Sequence, residues 1–247
     1  MRTDKNHVAV IAKMIDLLDT LTSGDFVNPT MLAKELQLPR TTVYRILKTL
    51  MDKGVLTEEY QPGPRLLKWV SRVQPQLSLE RLSRPSLERL VREFRETASV
   101  YVRIGASRVC IVRQEGLEDV RHSVAVGVPM PLHVGSAGRI LLAWAAPHER
   151  QDLVAASVNA TQIGESHPLP DWSRIQAQGW AVTLGERDPI LASVSVPIFV
   201  NQEVHAALSI SGPKQRFTQE RVTCMIHSLQ HEARLIEHTI QDFPSMS

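Results

Sequence analysis

Cysteine is scarce in this chain of 247 residues, which contains only two. Cys110 and Cys224 lie far apart and in no spacing typical of metal ligands, so neither a structural disulfide nor a zinc knuckle is expected. We interpret both as buried core thiols. Long hydrophobic runs are also missing, and the amino terminus leads into an amphipathic helix instead of a signal-peptide hydrophobic core. The expectation is a cytoplasmic protein without a membrane span.

Sequence motifs of familiar enzyme classes are missing as well, since there is no Walker, Rossmann or zinc-hydrolase motif. The candidate nucleophiles are Ser136, within Gly-Ser-Ala-Gly, and Ser193, with His205 as a possible base. Neither serine lies in a Gly-x-Ser-x-Gly turn or is followed by an Asp and a His in a credible order. The sequence therefore predicts no enzyme and no cofactor, and a hydrolase is the alternative to be tested.

Histidines near the carboxy terminus give one possible metal site. His227 and His231 are four residues apart, with Glu232 beside them and His238 two turns further on, a spacing that can hold a metal ion. A metal site needs three or four convergent ligands and a supporting shell, and no third ligand is identifiable. We favour a polar helix face and predict no metal.

The net charge is close to zero, at +2, and the hydrophobic fraction of 43% with 22% charged residues is that of an ordinary globular protein. The small total hides a local excess of positive charge. Between residues 39 and 53, a single Asp52 opposes four basic side chains, which are Arg40, Arg45, Lys48 and Lys53. Such asymmetry is what electrostatic binding of nucleic acid uses.

The most informative segment is residues 31–50, which predicts a DNA-binding helix-turn-helix. Val43, Ile46, Leu47 and Leu50 recur with helical spacing and form the buried face of a helix from about Thr41 to Asp52. The opposite face carries groups suited to phosphates and to base edges in a major groove. These candidate DNA-binding residues are Arg40, Thr41, Thr42, Tyr44, Arg45 and Lys48. The alternative is a plain helical hairpin with a solvated basic face.

The residues on either side of this helix strengthen the interpretation. Asn28 and Pro29 predict the start of a preceding short helix, which meets the second helix at Leu38-Pro39. After Gly54, residues 55–60 are expected to be extended, and a helix-turn-helix followed by a small β-hairpin is a winged one. Glu58 and Glu59 fall in this wing, where carboxylates would repel phosphate.

The connecting segment is predicted to be a linker helix with more apolar surface than a monomer needs. It is interrupted by Pro75, and its apolar residues are Leu66, Leu67, Trp69, Val70, Val73, Leu77 and Leu79. We expect a dimer contact here, because one recognition helix reads only a few base pairs and a two-fold dimer doubles the site into a palindrome. The predicted domains are residues 1–66 for DNA binding, 67–83 for the linker and dimer contact, and 84–247 for a second domain.

The second domain mixes helices and strands and contains a possible ligand site. A helix opening at Gly135-Ser136-Ala137-Gly138 would expose backbone N–H groups at its positive end, where a carboxylate is stabilised. Ser193 with Ser195, and Ser209 with Ser211, share strand faces and offer hydroxyls to a small polar ligand. The equally open alternative is that these serines only satisfy hydrogen bonds within the sheet.

The segment 38–47 resembles the recognition-helix signature of the IclR family of bacterial transcriptional regulators, and Tyr60 with residues 63–67 resembles the end of that family's wing. Segments 131–143, 179–181, 192–199 and 206–213 follow in the family's order. The resemblance implies a sensor domain similar to GAF and PAS domains. By matching positions it implies the effector contacts Ser136, Ala137, Thr183, Ser193, Ser209 and Ser211.

Two of these positions depart from the family's sensors of small oxoacids. Thr183 stands where those have an acidic residue, and Ser193 where they have a cysteine, which suggests a different, larger or aromatic acid. The overall expectation is an α+β protein with a winged helix-turn-helix, a linker helix and a GAF/PAS-like effector domain. Its expected function is regulation of a catabolic operon, as repressor or activator, through a palindromic double-stranded DNA operator and a small organic acid. A sensor with no DNA-binding role is the alternative.

Overall fold

The computed structural model describes residues 8–22, 28–70, 74–160 and 169–242, and the chain divides into two compact units at residues 74 and 75. The helices of the amino-terminal unit are α1 (Ala9–Thr22), α2 (Pro29–Glu35), α3 (Arg40–Asp52) and α4 (Pro64–Val70). Asn28 caps α2 as expected, because its Oδ1 accepts from the Met31 N–H at 2.9 Å. The α2–α3 pair is therefore the predicted helix-turn-helix.

The core of this unit forms where α1, α2 and α3 meet. Val43, Ile46, Leu47 and Leu50 are all buried, as the spacing on α3 predicted. Helix α1 contributes Leu17, which is fully buried, whereas Val10 near the start of the helix is 55% exposed. The first turn of α1 thus leaves apolar side chains on the surface.

The wing is much shorter than the extended chain expected over residues 55–60. It consists of one antiparallel bridge between Leu56 and Pro62, closed by a turn in which the Thr57 N–H donates to the Gln61 carbonyl at 2.8 Å. Tyr60 adopts a left-handed φ of 60° within this turn. The expected extension to Tyr60 was wrong, because the two glutamates and Tyr60 turn the chain instead of continuing a strand.

The carboxy-terminal unit is built on one antiparallel sheet of six strands in the order β3-β2-β1-β6-β5-β4. The strands are β1 (Thr97–Ile104), β2 (Ser107–Gln114), β3 (Pro129–Pro131), β4 (Ala181–Leu184), β5 (Leu191–Val200) and β6 (Glu203–Pro213). The helices are α5 (Gln74–Phe94), α6 (Ser136–Ala143), α7 (Pro147–Asn159), α8 (Trp172–Gln178) and α9 (Gln219–Asp242), with a 3-10 turn at Lys214–Arg216. This mixture confirms the α+β expectation.

Two apolar cores cover the two faces of the sheet. Alternate residues of the central strands, among them Val100, Val196 and Leu208, pack with α5 and α9 on one face. The residues between them point to the opposite face, where Tyr101 and Ala207 pack with α6 and its neighbours. Because side chains alternate along each strand, the serines of β5 and β6 lie on the α6 side.

The predicted linker is not separate from the second unit in the way the sequence suggested. Helix α5 runs without interruption through Pro85, so the predicted boundary at residues 83 and 84 falls inside it. Leu79 is buried in the carboxy-terminal core, whereas Trp69 on α4 is 54% exposed. Residues 71–73, including the predicted contact Val73, lie outside the described residues.

Two further expectations concern single residues and membrane helices. Cys110 is buried, and burial raises the pKa of its thiol to about 11. Cys224 is exposed on α9, so its assignment to the core was wrong: its helical neighbours Met225 and Ile226 turn inward instead. Over the described residues, the helices are too short or too polar to cross a membrane.

Candidate functional site

The exposed face of α3 carries the side chains predicted to contact DNA. Arg40, Thr41, Tyr44, Arg45 and Lys48 are exposed, and Thr42 is half-buried. Within the described part of the amino-terminal unit, none of the three basic side chains forms an ion pair with a carboxylate. The packed apolar stripe fixes the helix, and its opposite face presents unpaired positive charge to solvent.

The six predicted effector contacts converge on one open pocket in the carboxy-terminal unit. We call it the sensor pocket. Its lining contains the whole predicted set, which is Ser136, Ala137, Thr183, Ser193, Ser209 and Ser211. The lining also contains side chains that the sequence analysis did not single out: Tyr101, Arg108, His122, Glu186, Arg187, Asp188 and Leu191.

Hydroxyl groups form a connected chain along the sheet side of the pocket. The register of β5 and β6 pairs Ser193 with Ser211 and Ser195 with Ser209. The Ser136 Oγ bonds to the Oγ of Ser193 at 2.7 Å and to that of Ser195 at 2.6 Å, which ties α6 to β5. Each hydroxyl can donate or accept, so the chain can reorient to suit a polar ligand.

The amino-terminal end of α6 forms the upper wall of the pocket. The Ser136 N–H donates to the Thr183 Oγ1 at 3.2 Å, and the Gly135 N–H donates to a Glu186 carboxylate oxygen at 3.0 Å. Gly135 has a φ of 83°, a left-handed conformation that glycine adopts without strain. Arg139, one turn into α6, forms an ion pair with the same Glu186 carboxylate.

A buried arginine lies against this helix end. Arg108 on β2 is only 5% exposed, and its guanidinium donates to the carbonyl oxygens of Pro131 and Val134. Burial lowers its pKa to about 10, so the side chain stays protonated at pH 7. Among the described residues no carboxylate lies within ion-pair distance, and the Arg108 Nε has no hydrogen-bond partner.

Tyr101 lies beside Arg108, with the guanidinium 5.8 Å from its ring centre. Burial is the main cause that raises the pKa of Tyr101 to about 12, so the phenol remains neutral. Its flat ring gives the polar pocket one apolar surface. The sensor pocket therefore combines a buried cation, a helix end and an aromatic face, a combination suited to an organic anion.

His122 closes the far side of the pocket. Its Nε2 lies 2.8 Å from an Arg187 nitrogen, which can only donate, so Nε2 accepts and Nδ1–H donates to the Ser211 Oγ at 2.8 Å. Burial first, and then the Arg187 charge, lowers the pKa of His122 to about 4. The ring is therefore neutral at physiological pH.

This depressed pKa predicts a pH dependence of stability. Between pH 6.5 and 4 the unfolded chain binds a proton at His122 that the folded protein resists, so the free energy of unfolding falls as the pH is lowered. The variant His122→Asn keeps an amide donor for Ser211 and should lose this contribution. Urea unfolding followed at several pH values should give a shallower slope for the variant in that window. Equal slopes would contradict the assignment.

The candidates for catalysis and metal binding are separated in space. Ser193 and His205 lie towards opposite ends of the β5–β6 pair, since Ser193 pairs with Ser211 and Ile198 with Ala206. On α9, Glu232 is buried and accepts two hydrogen bonds from Arg89, whereas His227 and His231 are exposed. The described residues contain no group of three or more His, Cys, Asp or Glu side chains placed to hold a metal ion.

The residues that the sequence analysis missed come from strand positions and loops. Arg108 is the cross-strand partner of Arg103 and directly precedes an unbroken apolar run over residues 109–112. A charged residue at the start of such a run is the signal that could have singled out Arg108. Glu186 and His122 lie in loops, and no local pattern places them near α6.

Comparisons with known proteins agree with both units. Residues 10–59 match the IclR helix-turn-helix domain, and residues 72–238 match the bacterial transcriptional regulator IclR C-terminal domain. The HTH-type transcriptional regulator BhcR of Paracoccus denitrificans is 27% identical, covering 94% of this chain and 87% of its own. The Pca operon regulatory protein of Acinetobacter baylyi is 27% identical, covering 96% of this chain and 88% of its own.

Solved structures share the fold. One is an IclR homolog from Microbacterium hydrocarbonoxydans complexed with 4-hydroxybenzoate, with a TM-score of 0.73 at 21% identity, covering 94% of this chain and 99% of that one. Both units of the present chain thus have the same domain counterparts, in the same order. The chain belongs to the IclR family of bacterial transcriptional regulators, and it carries both the helix-turn-helix domain and the C-terminal domain of that family.

Proposed function

We propose that this regulator senses a small organic acid in the sensor pocket and controls a catabolic operon through a palindromic operator. The observation that carries the choice of ligand is Arg108, a buried cation without a carboxylate partner among the described residues. Burying a charge is costly unless it is paired, so the pocket is incomplete without an anion. The Tyr101 ring and the neutral hydroxyls favour an acid with an aromatic or hydroxylated body.

The proposed operator contacts are the side chains of the exposed α3 face. Arg45 and Arg40 are suited to guanine edges, and Lys48 to a phosphate. Tyr44, Thr41 and Thr42 complete the proposed contact set. Because Glu58 and Glu59 are exposed in the short turn of the wing, we propose that the wing makes no close approach to the DNA backbone.

We propose that the protein acts as a homodimer or a dimer of dimers. Val8, just before α1, and Ile11 and Ile15 on the helix form an exposed apolar stripe on one side of it. Trp69 on α4 adds a second exposed apolar surface. A two-fold partner would cover such surfaces and place two recognition helices at a fixed half-site spacing.

Effector binding is proposed to shift the population between two arrangements of the paired recognition helices. Only an acid that binds one arrangement more tightly than the other can do so, and the ratio of affinities limits the effect. The same mechanism can repress or activate transcription. In this proposal the protein is cytoplasmic, uses no cofactor and consumes no ligand, and a hydrolase would be revealed by turnover of the bound acid.

The direct test of this function is enrichment of genomic fragments on the purified full-length protein at near-physiological salt. Under these conditions non-specific phosphate binding is suppressed. Enrichment of one palindromic site supports the proposal, and the adjacent genes indicate which acids to test. Enrichment of no sequence, with and without a panel of organic acids, would favour a sensor that has no DNA-binding role.

Replacing Arg108 should abolish acid binding. Truncating one partner of a buried, hydrogen-bonded charge pair typically costs about 2–5 kcal/mol, which is roughly a 30-fold or greater loss of affinity. Titration of 4-hydroxybenzoate, the compound bound to the Microbacterium homolog, into wild type and Arg108→Met measures this loss. Arg103→Met is the control, because Arg103 is the exposed cross-strand neighbour and does not line the pocket. Equal losses in both variants would contradict the role of Arg108.

A further inference from the structure

A carboxylate of the protein itself occupies the end of α6. The Glu186 side chain is only 12% exposed, accepts from the Gly135 N–H at 3.0 Å and pairs with Arg139. We call the group formed by the Gly135 N–H, Arg139 and Arg108 the helix-end site. A helix amino terminus and two guanidinium groups are all positive, so this site strongly favours an anion.

Glu186 satisfies only part of this positive charge. It forms an ion pair with Arg139, whereas Arg108, whose guanidinium packs against the Gly135 and Gly138 backbone, lies beyond ion-pair distance of it. The Nε atoms of Arg108 and Arg139 are both buried and have no hydrogen-bond partner. Glu186 therefore leaves the Arg108 charge without a carboxylate, and an anion that contacted both guanidinium groups would hold the helix-end site more strongly than Glu186 does.

The segment that carries Glu186 is held mainly by backbone hydrogen bonds, one of which runs from the Lys214 N–H to the Ile190 carbonyl at 2.7 Å. It is a compact turn between β4 and β5, closed by the Gly185 N–H to the Leu191 carbonyl at 2.7 Å. Asp188 bonds within the turn, to the Ile190 N–H at 3.1 Å, and Arg187 reaches across to His122. Apart from Glu186, the side chains of residues 185–190 make no direct hydrogen bond to α6.

We propose that Glu186 is a resident carboxylate that competes with the effector for the helix-end site. An anionic effector binds by displacing it, which releases segment 185–190 from α6. This inference rests on the proposed binding of an organic acid in the sensor pocket. In this proposal Glu186 determines how much acid the sensor needs. When Glu186 fills the site in more of the protein, a smaller fraction is open to the acid and the apparent affinity for the acid is lower.

The test compares carboxylate binding by variants of two acidic residues in one turn. Benzoate and acetate are titrated into full-length wild type, Glu186→Gln and Asp188→Asn. If Glu186 fills the site about nine-tenths of the time, removing it from the site raises the affinity for benzoate by up to about tenfold. Asp188 also lines the sensor pocket but makes no hydrogen bond to α6, so Asp188→Asn removes the same charge from the same turn and leaves the helix-end site in place. Its benzoate affinity should rise less than about threefold, from the general change in electrostatic potential.

A second variant separates the effect of the position of the carboxylate from the effect of its charge. Glu186→Asp keeps the negative charge but retracts the carboxylate by one methylene, so it should bind benzoate more tightly than wild type although the charge of the pocket is unchanged. Hydrogen exchange of segment 185–190 gives an independent reading. Saturating benzoate should accelerate exchange there if the turn is released, and slower exchange would overturn displacement.

The outcomes separate this inference from the proposed function. If wild type binds benzoate and neither Glu186 variant binds it more tightly than Asp188→Asn does, the resident carboxylate is overturned while the acid-binding pocket stands. If wild type and all variants bind neither benzoate nor acetate, the proposed class of effector fails, and the resident carboxylate fails with it.

Discussion

Arg45→Ala is expected to bind the operator about tenfold to a hundredfold more weakly than wild type, since loss of one bidentate base contact costs roughly 1–3 kcal/mol. Arg45 is exposed on α3 and forms no ion pair among the described residues, so its removal should leave the melting temperature unchanged. Fluorescence anisotropy with the enriched operator, compared with a scrambled duplex, measures the effect. In a symmetric dimer the substitution removes two contacts and the loss is correspondingly larger.

Two control variants distinguish base recognition from general attraction. Lys48→Ala should weaken binding to operator and scrambled DNA alike and reduce the dependence on salt by about one counterion. Lys13→Ala removes an exposed cation from α1, outside the helix-turn-helix, and should change neither. If Arg45→Ala behaves like Lys13→Ala, α3 does not read the operator, and the alternative of a sensor without a DNA-binding role gains support.

The sequence predicted α3 well because its determinants are local. A stripe at helical spacing requires only that one face be buried, and Val43 to Leu50 supply it within two turns. The serines of the sensor pocket were also predictable, since alternation along a strand decides the face before any partner strand is known. The register of β5 and β6 brings these serines together in one pocket, and no local sequence pattern encodes that register.

Residues whose role depends on distant partners were not predictable in this way. Glu186 meets Gly135 across 51 positions of sequence, and His122 meets Ser211 across 89. The domain start predicted at residue 84 was misleading for another reason: Pro85 follows it, and a proline inside a helix costs about 3 kcal/mol or more, which argues for a break. Here the buried Leu79 and Leu87 on either side of it pack into the same core and hold α5 together.

Gly138→Ala should be among the most damaging single substitutions in the carboxy-terminal unit. Alanine is ordinarily favoured over glycine inside a helix by about 1 kcal/mol, so propensity alone predicts stabilisation. At Gly138 a Cβ atom would lie 2.0 Å from the Leu132 carbonyl oxygen, a backbone atom that cannot rotate away. Helix α6 or segment 132–135 would have to move, and we expect destabilisation of about 3 kcal/mol, at the upper end of overpacking.

The same movement should reach the sensor pocket, because Gly138 is two residues beyond Ser136 and its Cβ would also approach Arg108 at 3.3 Å.

Gly105→Ala is the matched control. Gly105 has a φ of 58° with nothing within 4 Å of its Cβ position, so alanine there adds backbone strain of about 1–2 kcal/mol and no clash. In thermal unfolding, Gly138→Ala should have a lower melting temperature than Gly105→Ala. In a titration with benzoate, it should also bind the acid more weakly. If Gly138→Ala matched or exceeded wild type in stability, α6 would not pack against Leu132 as closely as the structure places it, and the position of the helix-end site would have to be revised.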